Sequence, residues 1–321
     1  MEKLVRRRYW WIALSATLIL PGLIFLAIFG LRPGIDFAGG TLWDIQFLER
    51  TSDELSTSEI ASVFAAQGFE EALVQLSSVT LNEEEIPRAL VRTSSLDEQT
   101  ATDQQQQVVA ALAAEYGEVQ REAVRSVGPT VSQESTISAV IAVVGASVVI
   151  LIYLTLAFRR APHPVRYGIC AILAMIHDVI LVMGVAAILG VTIGLEVDAL
   201  FLTALLTIIS FSVHDTIVVF DRIRENLIER QPEEHFDDIV NRSIVQTIPR
   251  SVNTQLTSLF TLTALLLFGG ETIFNFVLIL MIGLISGTYS SIFNAAQLLV
   301  IWEHREWQRW FGRREEPAPA S

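Results

Sequence analysis

A chain of 321 residues that is 51% hydrophobic and 18% charged, with a mean hydropathy of +0.47, is too apolar for an ordinary soluble domain and belongs to the membrane class. Its net charge of −13 is concentrated, because residues 31–136 hold 18 Asp and Glu against 6 Lys and Arg, a balance of −12. That excess argues against nucleic acid or an anionic lipid surface as partner of the segment, and the plainer reading of the charge itself is a solvated, soluble face. The lone cysteine, Cys170, rules out a disulfide framework, a CxxC motif and a zinc-finger spacing.

In chain order, the hydropathy predicts a membrane span at 9–29, an exported segment, and five further spans at 137–158, 167–189, 199–220, 252–268 and 273–302. The last exceeds what a bilayer needs and must tilt or protrude. The basic start also fits a signal peptide, but the first apolar run is longer than a typical h-region and lacks an A-x-A-like end, so it reads as an uncleaved anchor. Lys3, Arg6, Arg7 and Arg8 precede the first span, and Arg159, Arg160 and Arg166 follow the second. Arg305, Arg309, Arg313 and Arg314 follow the sixth, whereas the loops 190–198 and 269–272 have no Lys or Arg. By the positive-inside rule both termini are cytoplasmic and residues 31–136 extracytoplasmic. The expected organisation is an N-tail with helix 1 (1–30), an exported domain (31–130), helices 2–6 (131–302) with a cytoplasmic loop at 221–250, and a cytoplasmic tail (303–321).

Within the exported segment, bulky residues alternate over 41–48, the spacing of Ile60, Val63 and Phe64 predicts a helix over 57–67 stopped by Gly68, and strands follow at 72–79 and 88–93, with a Glu-rich turn or linker between them. A helix at 96–116 and a strand at 119–126 complete the order βαββαβ. That order predicts an α+β, ferredoxin-like sandwich. The segment has no His, phosphate loop or nucleophile elbow, so binding or movement fits it better than catalysis. The Gly- and Pro-containing pieces 30–40 and 127–130 are expected to be non-helical connectors.

The spans carry polar groups that hydrocarbon does not solvate. Asp178 follows His177 in the third span and Asp215 follows His214 in the fourth; a rise of about 1.5 Å per residue puts them roughly 16 Å and 9 Å from the cytoplasmic ends. Arg250 opens the fifth span, and its stem could carry the guanidinium to Asp215. Thr203, Thr207, Ser210 and His214 recur at i, i+4, i+7 and i+11, and Arg250, Thr254, Thr257 and Thr261 repeat that spacing. Two facing polar stripes could hold water or relay protons. The competing reading of Asp215 with Arg250 is a static buried pair, and of Asp178 a packing role with His177 or a neighbouring helix. Gly283 and Gly287 form a small-xxx-small pair near Ser286, Ser290 and Asn294.

An ordered set of motifs resembles the SecF family, the six-span partner of SecD in bacterial Sec export, within the RND superfamily. The set is GIDFAGGT at 34–41, VGPTVS at 127–132, IHDV at 176–179, HDTIVVFDRIREN at 214–226, TIPRSVNTQLTS at 247–258, LFGG at 267–270 and GTYSSIF at 287–293. Asn294 and Gln255 depart slightly from the commonest family pattern. The resemblance implies a non-enzymatic bacterial plasma-membrane (inner-membrane) subunit that, with SecD, uses the proton-motive force to help preproteins complete passage through SecYEG. It implies no metal and no cofactor beyond protons as coupling ion. The implied partners are SecD, SecYEG, the unfolded preprotein and the lipid bilayer, with YajC as a further candidate. The implied relay residues are Asp215 and Arg250, and Asp178, His177, His214, Thr207 and Thr254 are candidates for support. Two other classes compete: a half-size RND-type proton-coupled small-molecule exporter, and an intramembrane aspartyl protease pairing Asp178 with Asp215, whose GxGD context is absent.

Overall fold

The computed structural model describes residues 4–81, 84–96, 100–159 and 163–306. In chain order the elements are α1 (Arg8–Phe29), α2 (Ile35–Ala38), β1 (Gly40–Phe47), α3 (Thr57–Ala66), β2 (Leu73–Leu81), β3 (Glu84–Thr93), α4 (Ala101–Tyr116) and β4 (Val119–Val127). They continue with α5 (Pro129–Ala157), α6 (Pro164–Thr192), α7 (Ala199–Ile228), α8 (Phe236–Phe268), α9 (Glu271–Ser290), a π-helical turn (Ser291–Ala295) and α10 (Ala296–Glu303). Two compact units divide the chain: Pro33–Val140, and Met1–Arg32 with Ile141–Ser321.

The smaller unit is built on a four-stranded antiparallel sheet in the order β2-β3-β1-β4. The period-two pattern of β1 sends Trp43, Ile45 and Phe47 into the core, where Ile60 and Phe64 of α3, Val108, Leu112 and Tyr116 of α4, and Val91 of β3 meet them. Each fully buried large side chain contributes roughly 2–3 kcal/mol. Trp43 Nε1 donates to Thr93 Oγ1 at 2.9 Å, so the indole is buried without an orphaned donor. Gly68 ends α3 with φ +92°, its N–H bonding Ala65 O while Phe69 N–H bonds Phe64 O, a Schellman closure. On the other face of β1, Arg88 pairs with Asp44.

Among the described residues six helical stretches are long and apolar enough to cross a membrane, and they make up most of the larger unit. α7 packs against α6, α8 and α9, and α6 also packs against α1. At the α1–α6 crossing the backbones touch through two glycines: a Cβ on Gly22 would lie 2.8 Å from Gly184 Cα. On α9, a Cβ at Gly283 would run into the Ile208 side chain of α7. These are small-residue contacts of the kind that replace hydrophobic driving force between membrane helices. The apolar windows of α1 and α5 are 11% and 6% buried against 50% for α7, so α1 and α5 present apolar outer surfaces such as lipid tails cover. α5 is locked at its end, where Phe158 stacks on Tyr167 of α6 at 5.3 Å and Phe220 of α7 meets both rings edge-on.

Several sequence expectations need correction. The expected loop 221–250 is mostly helix: α7 runs on to Ile228 and α8 starts at Phe236, leaving only residues 229–235 as the connection. Hydropathy marks the apolar part of a helix and is blind to its polar extensions, which amphipathic packing carries further: Asn226 of α7 donates to Ser243 of α8. Residues 84–87 of the expected Glu-rich linker are the start of β3, paired with β2. The connectors expected to be non-helical contain the short α2 and, from Pro129, the first turn of α5, where proline's fixed φ suits a helix start. The expected sixth span stands as one span, Ile273–Glu303, within which a π-helical turn separates α9 from α10. Lys3, Arg160, Arg309, Arg313 and Arg314, used for orientation, lie outside the described residues, as does most of the tail 303–321.

Candidate functional site

Both intramembrane carboxylates are buried inside the larger unit, Asp178 at 1% exposure and Asp215 at 2%. Their surroundings differ in kind. Asp178, on α6, is caged by hydroxyls from two other helices: Ser212 Oγ of α7 and Ser290 Oγ of α9 donate to Oδ2 at 2.6 and 2.5 Å, and Ser286 Oγ of α9 donates to Oδ1 at 2.8 Å. His177 Nδ1 lies 3.1 Å from Oδ1. Three helices are thus tied to one fully partnered carboxylate, the arrangement a buried anion needs to be tolerated.

Asp215, on α7, has one close donor among the described residues: Gln255 Nε2 of α8, 2.9 Å from Oδ2. His214 Nδ1 lies 3.8 Å from Oδ1 on a side chain that is 62% exposed. Among the described residues Oδ1 of Asp215 thus has no donor within hydrogen-bond distance, whereas both oxygens of Asp178 are bonded. Ser212 ties α6, α7 and the π-helical turn together at the Asp178 site: its hydroxyl donates to Asp178 while its carbonyl accepts Thr216 Oγ1 at 3.0 Å and Ser291 Oγ at 3.3 Å.

The ion pair expected between Asp215 and Arg250 is not formed among the described residues. Arg250 is exposed, and the inward position on that helix belongs to Gln255, five residues on. Thr207 and Thr254 are not brought to Asp215 either; each hydroxyl bonds back to a carbonyl of its own helix, Thr203 O at 2.7 Å and Arg250 O at 3.0 Å. The two predicted stripes exist but face outward: Thr203, Ser210 and His214 on α7 and Arg250, Thr254, Thr257 and Thr261 on α8 are exposed, with Thr207 half-buried. A second set, at strict four-residue steps, faces in: Ser243, Thr247, Ser251 and Gln255 on α8 are all buried. Its i, i+4, i+8, i+12 spacing was readable in the sequence; which of two interleaved polar sets faces inward was not.

The two aspartates make no hydrogen bond to each other among the described residues, so the shared-proton dyad an aspartyl protease uses is not assembled. Among the described residues, no group of three or more His, Cys, Asp or Glu side chains is gathered as a metal site requires.

A six-helix membrane unit with buried carboxylates on adjacent helices defines a polytopic membrane protein of the transporter type. The chain belongs to the SecD/SecF family: residues 107–305 match the family described as protein export membrane protein SecD/SecF, C-terminal, and residues 24–47 match the SecD/SecF GG motif. Relatives named protein translocase subunit SecF include those of Thermobaculum terrenum, 48% identical, and Anaerolinea thermophila, 45% identical, each alignment covering 100% of both chains. Protein translocase subunit SecDF of Bacillus subtilis is 35% identical over 94% of this chain and 38% of its own. The crystal structure of SecDF from Thermus thermophilus, titled a translocon-associated membrane protein, superposes with a TM-score of 0.78 at 31% identity; 94% of this chain matches 38% of that longer one.

Proposed function

We propose that this chain is the SecF-type auxiliary subunit of the Sec preprotein translocase and that, joined to a SecD-type partner, it couples the proton-motive force to movement of residues 31–136 on the outer side of the plasma membrane. The observation that carries the coupling is Asp215: a buried carboxylate with a single close donor among the described residues, on a helix whose neighbouring surface is polar. A protonatable group held in that way can alternate between two states, and one proton crossing 100 mV supplies about 2.3 kcal/mol to bias them. Asp178, by contrast, is a fixed pivot.

The outward polar stripes on α7 and α8 support a protein partner over lipid, because hydrocarbon leaves hydroxyls and a guanidinium poorly solvated. SecD is the fitting partner, since the fused SecDF chains carry the matching region in 38% of their length. Arg250 on that surface is then shared between the two subunits, and it exchanges with Gln255 for Asp215 during the cycle. His177, His214, Thr207 and Thr254 support the polar surroundings. The strand order and helix crossovers of residues 31–130 support the ferredoxin-like reading. Its role is non-catalytic: it engages emerging preprotein near SecYEG and, with YajC as an accessory, hinders backsliding. Both termini are cytoplasmic in this reading, and protons are the only cofactor. An Asp215→Asn complex that still co-purifies with SecD is expected to lose the proton-driven stimulation of export in inverted vesicles. Full stimulation would overturn the coupling.

A further inference from the structure

The inward polar set on α8 ends in groups that nothing among the described residues satisfies. Ser251 Oγ, Gln255 Oε1, and both the Nε2 and Oε1 atoms of Gln297 are buried there without a hydrogen-bond partner. Ser251 and Gln297 are 0% exposed and Gln255 is 5% exposed. Gln297 sits on α10, which packs against α8. Each orphaned group costs about 1–3 kcal/mol if dry, and Val or Leu in these places would avoid that cost entirely. The surrounding interior shows the contrast: Val219, Phe220 and Ile223 of α7 and Val240 and Ile244 of α8 are wholly apolar. Two of these unmet atoms lie one helical turn apart on α8 and two on the helix packed against it, and one or more bound waters would satisfy them, each making about three hydrogen bonds.

The row also has ends. From Gln255, which holds Asp215, positions 251, 247 and 243 follow at one-turn steps, spanning roughly 18 Å at 1.5 Å per residue. At the far end Ser243 accepts a 2.8 Å hydrogen bond from Asn226, whose amide also donates to Gln246 at 3.0 Å. Gln246 is exposed, so the row reaches the protein surface there.

We infer that Ser251, Gln255 and Gln297 hold an internal file of water that carries protons between Asp215 and the α8 end of the unit, inside this chain and not along its surface with SecD. A proton leaving Asp215 passes to the nearest water, which hands one of its own to the next; Ser251 accepts and donates in turn, and no row residue gains or loses net charge. In the orientation proposed above the file is the cytoplasmic half of the path. This inference rests on Asp215 being the coupling carboxylate.

The test is proton flux in proteoliposomes holding the complete complex with SecD, read by a pH-sensitive dye in the lumen. Ser251→Val and Gln297→Leu, on different helices, are expected to assemble with SecD and to slow flux on the order of a hundredfold, the contribution of a positioned proton carrier. Ser251→Thr, which keeps the hydroxyl, is expected to restore most of it, a rescue that a packing role would not give. Normal flux in both apolar variants, with Asp215→Asn silent, overturns the water file and leaves the coupling carboxylate standing. Normal flux in Asp215→Asn overturns the coupling itself. Should one apolar variant fail to assemble, the other decides.

Discussion

Gln255 of α8 donates a 2.9 Å hydrogen bond to Asp215 of α7, and both side chains are buried. The bond joins the helix that carries Asp215 to the helix that carries Arg250, so loss or exchange of one hydrogen bond changes what those two helices hold in common.

A double-mutant cycle measures that link. Gln255→Leu alone leaves a buried carboxylate without its close donor and is expected to lower stability in detergent by about 1–3 kcal/mol. In an Asp215→Leu background the same change is expected to be neutral or stabilising, because the amide has lost its acceptor and Leu removes an orphaned buried donor. Equal losses in both backgrounds, measured by thermal unfolding of the purified protein, would show that the bond contributes nothing.

The hydroxyl cage around Asp178 predicts strong non-additivity. Asp178→Ala removes the carboxylate acceptor of three buried hydroxyls and is expected to cost about 3 kcal/mol or more, with Ser290→Ala alone costing about 1–2 kcal/mol. Adding Ser290→Ala to Asp178→Ala is expected to cost little more, since that hydroxyl has already lost the carboxylate and keeps only Gly287 O, 3.2 Å away. Additive losses in the double variant would contradict the cage.

Glu306 supplies a pH dependence outside the membrane spans. Burial pushes its pKa up, but the hydrogen bonds donated by Arg8 and Tyr9 and the nearby charges of Arg8 and His304 outweigh burial, so the carboxyl lies below its usual 4.5. A depressed carboxylate stabilises the fold above its unfolded pKa and loses that contribution as the pH falls through the folded value. Glu306→Gln is therefore expected to melt below the parent at pH 7 and to converge with it in acid, once the pH has fallen through the lowered folded value. A constant gap between the two melting curves across that range would remove Glu306 as the source.

The spans were legible because an apolar block of bilayer length is rarely anything but a membrane helix. The small sheet was legible because β1 alternates cleanly and Gly68 supplies a stop. What failed has physical causes. Residues 221–250 look like a loop to any hydropathy measure, yet Asn226, Ser243 and Thr247 pack face to face as helix. Asp215 announced itself through the expense of its location, but its partner did not. Arg250 and Gln255 lie on one helix five residues apart, and only the rotation of α8, set by packing against α7 and α9, decides which turns inward.

The contact between Gly22 and Gly184 carries a consequence for genetics. When two bulky side chains meet, enlarging one can be offset by trimming the other, so suppressor screens return the partner position. Here neither residue has a side chain to trim, and a Cβ on either would press on bare backbone. A defect caused by Gly184→Val should yield true revertants or changes that reposition α1 as a whole, and compensating alleles at position 22 should be missing from the collection.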